Sequence, residues 1–440
     1  MARIVKDSVN AVIEQIERDK DYLVDLTRRL VRIPTVNPKF ESNPEINREP
    51  ELQSRLQSEL DSLGMATEMT EVFPGRPNLT GTLAGSEERS LILNGHVDVV
   101  PVGERSQWTV DPFGADIREG RLYGRGSLDM KGGVAVNVAV AKAICGLGLK
   151  LEGRLEIHAV VDEEAGGFGS IDLIKRRRLA KAIIVTEPTW NTLQPAEGGL
   201  DWVRVTFRGR SAHAGWRYND IYPQHDEPDR RLPGVNALEL AARFVAAVQT
   251  YERDRGTRKQ AHPMLPAGVN TINPGVMIAG AGMGSDGLPI VLSNPAITPD
   301  VAVIDFDLKF LPDERPAQVR REFEDLVRAF AQMDSWLREH PPVVQWELGG
   351  LHFPPMNTPV DHPLATAMIA NRAAMGLQTE VKGFVAVSDI AHYAGAGVPG
   401  FLFGPGGAGP HGADEYVDVA SLVEAAKSVA ATTVEWCGVR

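Results

Sequence analysis

The stretch Val160-Val161-Asp162-Glu163-Glu164-Ala165-Gly166-Gly167 ends an apolar run with three consecutive carboxylates and two glycines. Successive side chains of a strand point to opposite faces, so Glu163 and Glu164 can share one site only where the strand stops and the backbone turns. The glycines suggest such a turn. Four more stretches carry related residues. His96 and Asp98 stand two apart in LILNGHVDVVP, on one face of an extended segment, where a carboxylate can hold one ring N–H while the other nitrogen takes a metal. Asp129 lies in the glycine-rich GRGSLDMKGG ahead of an apolar helical stretch, Glu187 in VTEPT, and His411 in GPHGADEYV. Singly, each has a bland reading as strand-end decoration, a structural His-x-Asp or an Asp at a helix N-terminus. Five bland readings would have to hold together. Two imidazoles and several carboxylates, with no thiolate, make an N/O donor set suited to zinc, cobalt or manganese. A carboxylate such as Asp129 can bridge two ions roughly 3.5–4 Å apart, the spacing of two-metal hydrolases.

The elements that must position these residues are legible as alternating patterns. Residues 91–93, 155–161 and 182–185 read as strands and 134–147 as a helix, which predicts an α/β domain with a mostly parallel sheet and helices on both faces. Open sheets of that kind place their sites at the carboxyl ends of the strands, and acid and imidazole groups recur at or just after several such ends. Near residue 200 the style changes. Residues 201–207 and 301–310 alternate like half-exposed strands, while 236–251 and 317–330 read as helices, so a smaller α+β unit is expected as an insertion. Beyond Pro354-Pro355 the first style returns, with 398–403 as a strand and 420–432 as the closing helix. The expected division is 1–199 with 351–440 around an inserted 200–350.

The remaining chain excludes several classes. Against 46 Lys and Arg stand 58 Asp and Glu, a net charge of −12 that disfavours nucleic acid and anionic membrane as partners. The basic run 175–178 lacks interleaved aromatics and reads as a solvated helix face. Cys145 and Cys437 are the only cysteines, too few for a disulfide framework and unsuited to a thiolate zinc site, so a cytoplasmic location is expected. The charged, amphipathic N-terminal stretch reads as neither signal peptide nor membrane span. Residues 404–409 spell G-x-G-x-x-G, but Pro410-His411-Gly412 follows where a dinucleotide site needs a helix. A G-x-S-x-G elbow is absent, which leaves a serine hydrolase unsupported.

Taken together, HVD, GRGSLDMKGG, DEEAGG, TEPT, GRSAHA with GVNALEL, and GPHGADEYV resemble the M20 family of metallopeptidases and amidohydrolases in order and over nearly the whole chain. That group contains acetylornithine deacetylase, succinyl-diaminopimelate desuccinylase, aminoacylase and glutamate carboxypeptidase. The resemblance implies a catalytic domain with an inserted lid or dimerisation domain, a homodimer, and two divalent ions, zinc first with cobalt or manganese as alternatives. It implies that His96 and Glu187 hold one ion, Glu164 and His411 the other, and Asp129 bridges them. Asp98 then orients His96, and Glu163 is the unligated general base. His213 matches a histidine that donates to the developing oxyanion, often from the neighbouring subunit.

The substrate side is looser. Where the family has an arginine in D-x-R before a proline, this chain has Asp307-Leu308-Lys309-Phe310-Leu311-Pro312; Lys309 keeps the charge without the planar fork. A surface strand lysine is the equal alternative. Asn294 matches a nearby polar position, and Gly406 and Gly407 are expected as backbone donors beside the substrate. The segment 214–234 is longer than in compact members and could rim a pocket, extend an interface or be a surface loop. Asp162 has no implied role and is expected at the surface. The implied activity is hydrolysis of an N-acyl amino acid or a related small carboxylate-bearing amide, with a dipeptidase, a glutamate-type carboxypeptidase or an aromatic or xenobiotic amide hydrolase as alternatives. A metal-free binding protein on the same fold is the non-enzyme alternative, and it predicts no response to chelators.

Overall fold

Along Leu91-Ile92-Leu93, Ile183-Ile184-Val185 and Phe401-Leu402-Phe403, successive side chains enter one apolar core and then another. Strands buried on both faces require that alternation, and it explains why these runs are continuously apolar. The computed structural model describes residues 2–216, 234–259 and 261–440. It arranges the runs in a six-stranded sheet ordered Ala66–Phe73, Arg76–Leu83, Gly153–Val160, Ser86–His96, Ala182–Val185, Gly400–Leu402. The last four strands are mutually parallel, and the first two join them as an antiparallel hairpin. The hairpin has no counterpart among the expected strands. Its signal is Pro74-Gly75 between two polar-apolar runs, with Gly75 at φ +73°.

Helices cover both faces of this sheet. Gly132–Gly146 is buried along nearly its whole length and packs with Ala2–Arg18 and Val419–Cys437 in the larger core. Ile390–Gly395 contributes Ile390 and Tyr393 to the core on the opposite face. Each fully buried Val, Leu or Ile there is worth about 1.5–3 kcal/mol. One close approach matters for the site. A Cβ on Gly133 would lie 2.0 Å from the Thr186 carbonyl oxygen, so only glycine lets this helix begin against the strand end that carries Glu187.

The chain divides into two compact units, residues 1–197 with 356–440 and residues 198–355. The second unit holds an antiparallel sheet ordered Pro289–Val291, Ile272–Met283, Val301–Phe310, Gly199–Arg208, Val343–Trp346. Val203, Val205 and Phe207, with Ile304, Phe306, Leu308 and Phe310, face the helices Ala237–Arg258 and Pro316–Gln332. Phe323 packs edge-on against Phe306 and Phe244, with ring centres 5.7 and 6.3 Å apart. Asn236 caps the first helix by accepting from Leu238 N and Glu239 N at 3.0 and 3.3 Å. Among the described residues no helix is long and apolar enough to cross a membrane. Cys145 and Cys437 are free.

Candidate metal centre

The four parallel strands end at one edge of the sheet, and each end delivers one part of a cluster. His96 closes Ser86–His96, Glu163 and Glu164 open a single 3-10 turn just after Gly153–Val160, Glu187 lies two residues beyond Ala182–Val185, and His411 follows Gly400–Leu402. Asp129 comes from the loop before Gly132–Gly146. The strand carrying the two glutamates is stopped at Asp162, whose φ of +70° is left-handed. That break removes the strict alternation and lets both following side chains enter one cluster.

Asp129 lies between the imidazoles. Its Oδ1 is 3.2 Å from His96 Nε2 and its Oδ2 is 3.3 Å from His411 Nε2. Glu187 Oε1 lies 3.6 Å and Glu163 Oε2 3.8 Å from His96 Nε2, while Glu164 Oε2 lies 3.0 Å from His411 Nε2. His96, Glu163 and Glu187 converge closely enough to hold a metal ion, and so do His96, Asp129 and Glu164. Distance alone therefore allows Glu163 to ligate.

The electrostatics follow from burial and crowding. Burial pushes the carboxyls of Glu163 and Glu187 well above their ordinary range, and the neighbouring acids add to it. Burial likewise raises Glu164. For Asp129 burial acts the same way, but hydrogen bonds from His411 and His96 outweigh it and hold the group low. Burial disfavours charge on His96, yet Glu187, Asp129, Glu163 and Asp98 more than offset this and raise the ring well above its usual value. Hydrogen bonds to Asp129 and Glu164 raise His411 to about 10. Imidazole nitrogens aimed at carboxylates bind either protons or a metal cation in that position.

Two carboxylates outside this set hold its loops. The ring of His96 is oriented by the main chain of Asp98, whose carbonyl oxygen lies 2.9 Å from Nδ1, with the nearer carboxylate oxygen at 3.7 Å. A carbonyl can only accept, so Nδ1 carries a proton and Nε2, aimed at Asp129, is the nitrogen that can ligate when a metal replaces its proton. This corrects the expectation that the Asp98 carboxylate holds the ring. That carboxylate instead accepts the N–H groups of Glu163 and Glu164 at 3.1 and 3.3 Å. Glu415, fully buried, accepts from the N–H groups of Gly126, Leu128 and Asp129 at 3.1, 2.9 and 3.0 Å and from Arg125 at 2.5 Å. It thereby ties the Asp129 loop to the segment carrying His411. Sequence reasoning missed Glu415 although it stands four residues after His411, because no pattern distinguishes it from a surface acid.

Two other expectations are overturned. Asp162 is fully buried rather than exposed, because Arg76, Lys39 and Asn37 surround its carboxylate. The Gly406 N–H is not available as a donor beside a substrate; it donates to Ser421 Oγ at 2.7 Å. Gly407 pairs with Val417, and its carbonyl accepts from Trp190 Nε1 at 2.8 Å. Glycine is needed at both for space, since a Cβ would lie 2.8 Å from the Trp190 ring at 406 and 1.9 Å from the Tyr416 carbonyl at 407.

The remaining expected residues lie in the second unit. His213 is exposed, stands in a bridge with Ile297, and accepts the Gly215 N–H on Nδ1 at 3.1 Å. Lys309 sits on Val301–Phe310 between the inward-facing Leu308 and Phe310, on the sheet face away from the helices. Asn294 is exposed, and its Oδ1 accepts from Ala296 N at 3.0 Å. Most of 214–234 lies outside the described residues.

Residues 92–435 match peptidase family M20/M25/M40. The chain belongs to this family. It is a hydrolase of the M20 group, and relatives of high similarity are named for cleaving amide bonds. Over 437 residues it is 31% identical to the N-formyl-4-amino-5-aminomethyl-2-methylpyrimidine deformylase of Bacillus subtilis, covering 96% of each chain. Aminoacylase-1 of Mus musculus is 27% identical over 402 residues, covering 87% of this M20 chain and 86% of the relative. A solved structure described as a dinuclear metal binding peptidase of the M20 family from Bacillus subtilis superposes with a TM-score of 0.63 at 15% identity, covering 96% of this chain and 99% of that one.

Proposed function

We propose that this chain is a two-metal amidohydrolase that removes a small acyl group from an amine. The observation that carries the reading is the split of Asp129, one carboxylate oxygen toward each imidazole, with Glu187 beside His96 and Glu164 beside His411. The donor set fits divalent ions on a further ground: Glu164 Oε1 is buried and accepts no hydrogen bond among the described residues. His96, Glu187 and Asp129 would hold one ion, and His411, Glu164 and Asp129 the other. The solved relative described as dinuclear supports that count, and zinc, cobalt or manganese suits the N/O donors.

Two divalent ions bound there would polarise the scissile carbonyl and make water acidic enough to attack near neutral pH. Glu163 is assigned as general base rather than ligand, because a third carboxylate beside His96 would close a position that hydrolysis needs open. It takes the proton of the attacking water and delivers it to the leaving nitrogen. Burial raises its carboxyl, which suits a group that holds a proton between two steps. His213 accepts the Gly215 N–H on Nδ1, and it is assigned as the donor to the developing oxyanion in a homodimer. Lys309 and Asn294 are kept as contacts for a substrate carboxylate. Free cysteines agree with a cytoplasmic location.

The amine half of the substrate is open to two readings. N-acyl amino acids accord with the aminoacylase relative, whereas identity of 31% across 96% of both chains favours an N-formylated aminopyrimidine. Chelated protein should be inactive on N-formyl aminomethylpyrimidine, N-acetyl amino acids and dipeptides alike, and zinc, cobalt or manganese should restore hydrolysis of one class. Turnover unchanged by complete metal removal, verified by elemental analysis, would end the two-metal reading. Preference for dipeptides would replace the deacylase reading with a peptidase.

A further inference from the structure

The turn bearing Glu163 and Glu164 is held from behind by residues that ligate nothing in the proposed centre. Asp98 accepts both of its N–H groups. Asn37, fully buried, donates from its single amide nitrogen to Asp98 Oδ2 at 2.8 Å and to Asp162 Oδ1 at 3.0 Å. Its own Oδ1 accepts the Lys39 N–H at 3.0 Å. That contact fixes which way the amide faces, since both acids can only accept. Asn37 therefore joins two buried carboxylates that would otherwise repel each other across a shared space. Two cations meet Asp162 as well: Arg76 Nη1 lies 2.8 Å from Oδ1, the oxygen that Asn37 also reaches, and Lys39 Nζ lies 2.5 Å from Oδ2. Arg76 is itself gripped by Glu49 at 2.6 and 2.9 Å. Lys39 Nζ lies 4.7 and 4.2 Å from the ring centres of Phe73 and Phe168.

We propose that Asn37 is a positioning residue for the hydrolytic reaction, setting where Glu163 stands by locking Asp98 against Asp162. The inference rests on the assignment of Glu163 as general base. Chain connectivity makes the point concrete. Asp162 is the left-handed residue at which the strand turns, and Asp98 caps the next two N–H groups, so one amide fixes both ends of the displacement that brings Glu163 into the cluster. Lys39 and Arg76 hold the Asp162 carboxylate in that buried place by ion pairs.

The test is Asn37→Asp, which keeps the shape and exchanges the donor for an acceptor. At neutral pH kcat should fall about 10–100-fold, as for lost outer partners of metal sites, with KM within about twofold and bound metal unchanged. The ratio of variant to wild-type kcat should rise as pH falls, because the introduced carboxyl regains an O–H donor when protonated. Lys39→Gln, at a partly exposed position, should lower kcat by less than about tenfold, again with metal retained. A kcat for Asn37→Asp within twofold of wild type, or a loss that only tracks lost metal, would overturn the proposal. If circular dichroism shows Asn37→Asp unfolded, Lys39→Gln decides, and an unchanged kcat there overturns it. Glu163→Gln runs alongside: an active Glu163→Gln enzyme removes the base assignment itself, whereas an inactive one with a normal Asn37→Asp enzyme removes only the role of Asn37.

Discussion

The two units treat their acidic residues in opposite ways. In the 198–355 unit acids meet cations or an indole N–H across the sheet or from the helix packed on it: Asp305 accepts from Arg204 at 2.7 and 2.8 Å and Asp307 from Trp202 at 3.2 Å across strands, and Asp201 accepts from Arg320 of the helix Pro316–Gln332 at 2.7 and 2.9 Å. At the strand ends of the other unit, Asp129, Glu163, Glu164 and Glu187 gather around two imidazoles. Cross-strand pairs contribute modestly to a sheet and ask for nothing further. Crowded, buried carboxylates are unfavourable until protons or metal cations enter. Placement, more than number, separates acids that support the fold from acids that can do chemistry.

The contrast can be broken experimentally. Glu163→Gln should retain metal and lose about 10²–10⁴-fold in turnover; elemental analysis beside steady-state kinetics checks it, and near-normal hydrolysis would return Glu163 to the status of a bystander. Glu415→Ala strands buried Arg125 and three loop N–H groups, so denaturant unfolding should show a loss of about 3–5 kcal/mol. His411→Ala should weaken metal binding by at least the 10–100-fold typical of a lost outer partner, measured by equilibrium dialysis.

Metal affinity should also depend on pH. His411 is raised to about 10 by its hydrogen bonds to Asp129 and Glu164, so protons compete with the metal below that value and affinity climbs as pH rises toward it. In the metal-free protein the sign is reversed. A raised histidine contributes stability that is complete below its unfolded value of about 6.5 and vanishes as pH rises through about 10. Chelated protein whose metal affinity is flat between about pH 6 and 9 would contradict this. The smallest effect should be Arg204→Ala, which removes a part-buried pair worth about 1 kcal/mol or less and leaves turnover unchanged. A large loss of activity there would dissolve the distinction between the units.

How much was legible can be argued residue by residue. The parallel strands were readable because both faces are buried, which demands continuous apolar runs. The hairpin Ala66–Leu83 was harder, since its polar and apolar residues alternate weakly and only Pro74-Gly75 marks the turn. His96, Glu163, Glu164, Glu187 and His411 could be picked out by type and by position at or after strand ends, and Asp129 by its place ahead of an apolar helix; the structure gathers them. Asn37, Arg76, Glu49 and Glu415 could not. Each is an ordinary polar residue in sequence, and its importance comes from burial against a partner between 27 and 290 positions away.

The sequence by itself determined the chemistry on offer: an N/O donor set without thiolates, carried at the ends of apolar runs and fixed by residue type. It also determined that the strand through Val161 must turn before Glu163 and Glu164, because period-two geometry allows the pair no shared site otherwise. Only the tertiary structure decided which groups hold which. It gave the His96 ring to a backbone carbonyl rather than to the Asp98 carboxylate, and it took Gly406 out of the substrate's reach as a donor. It also buried Asp162 among Asn37, Lys39 and Arg76. The reason is that hydrogen bonds are settled within about 3 Å, a scale on which residues far apart in the chain become neighbours only after the sheet has formed.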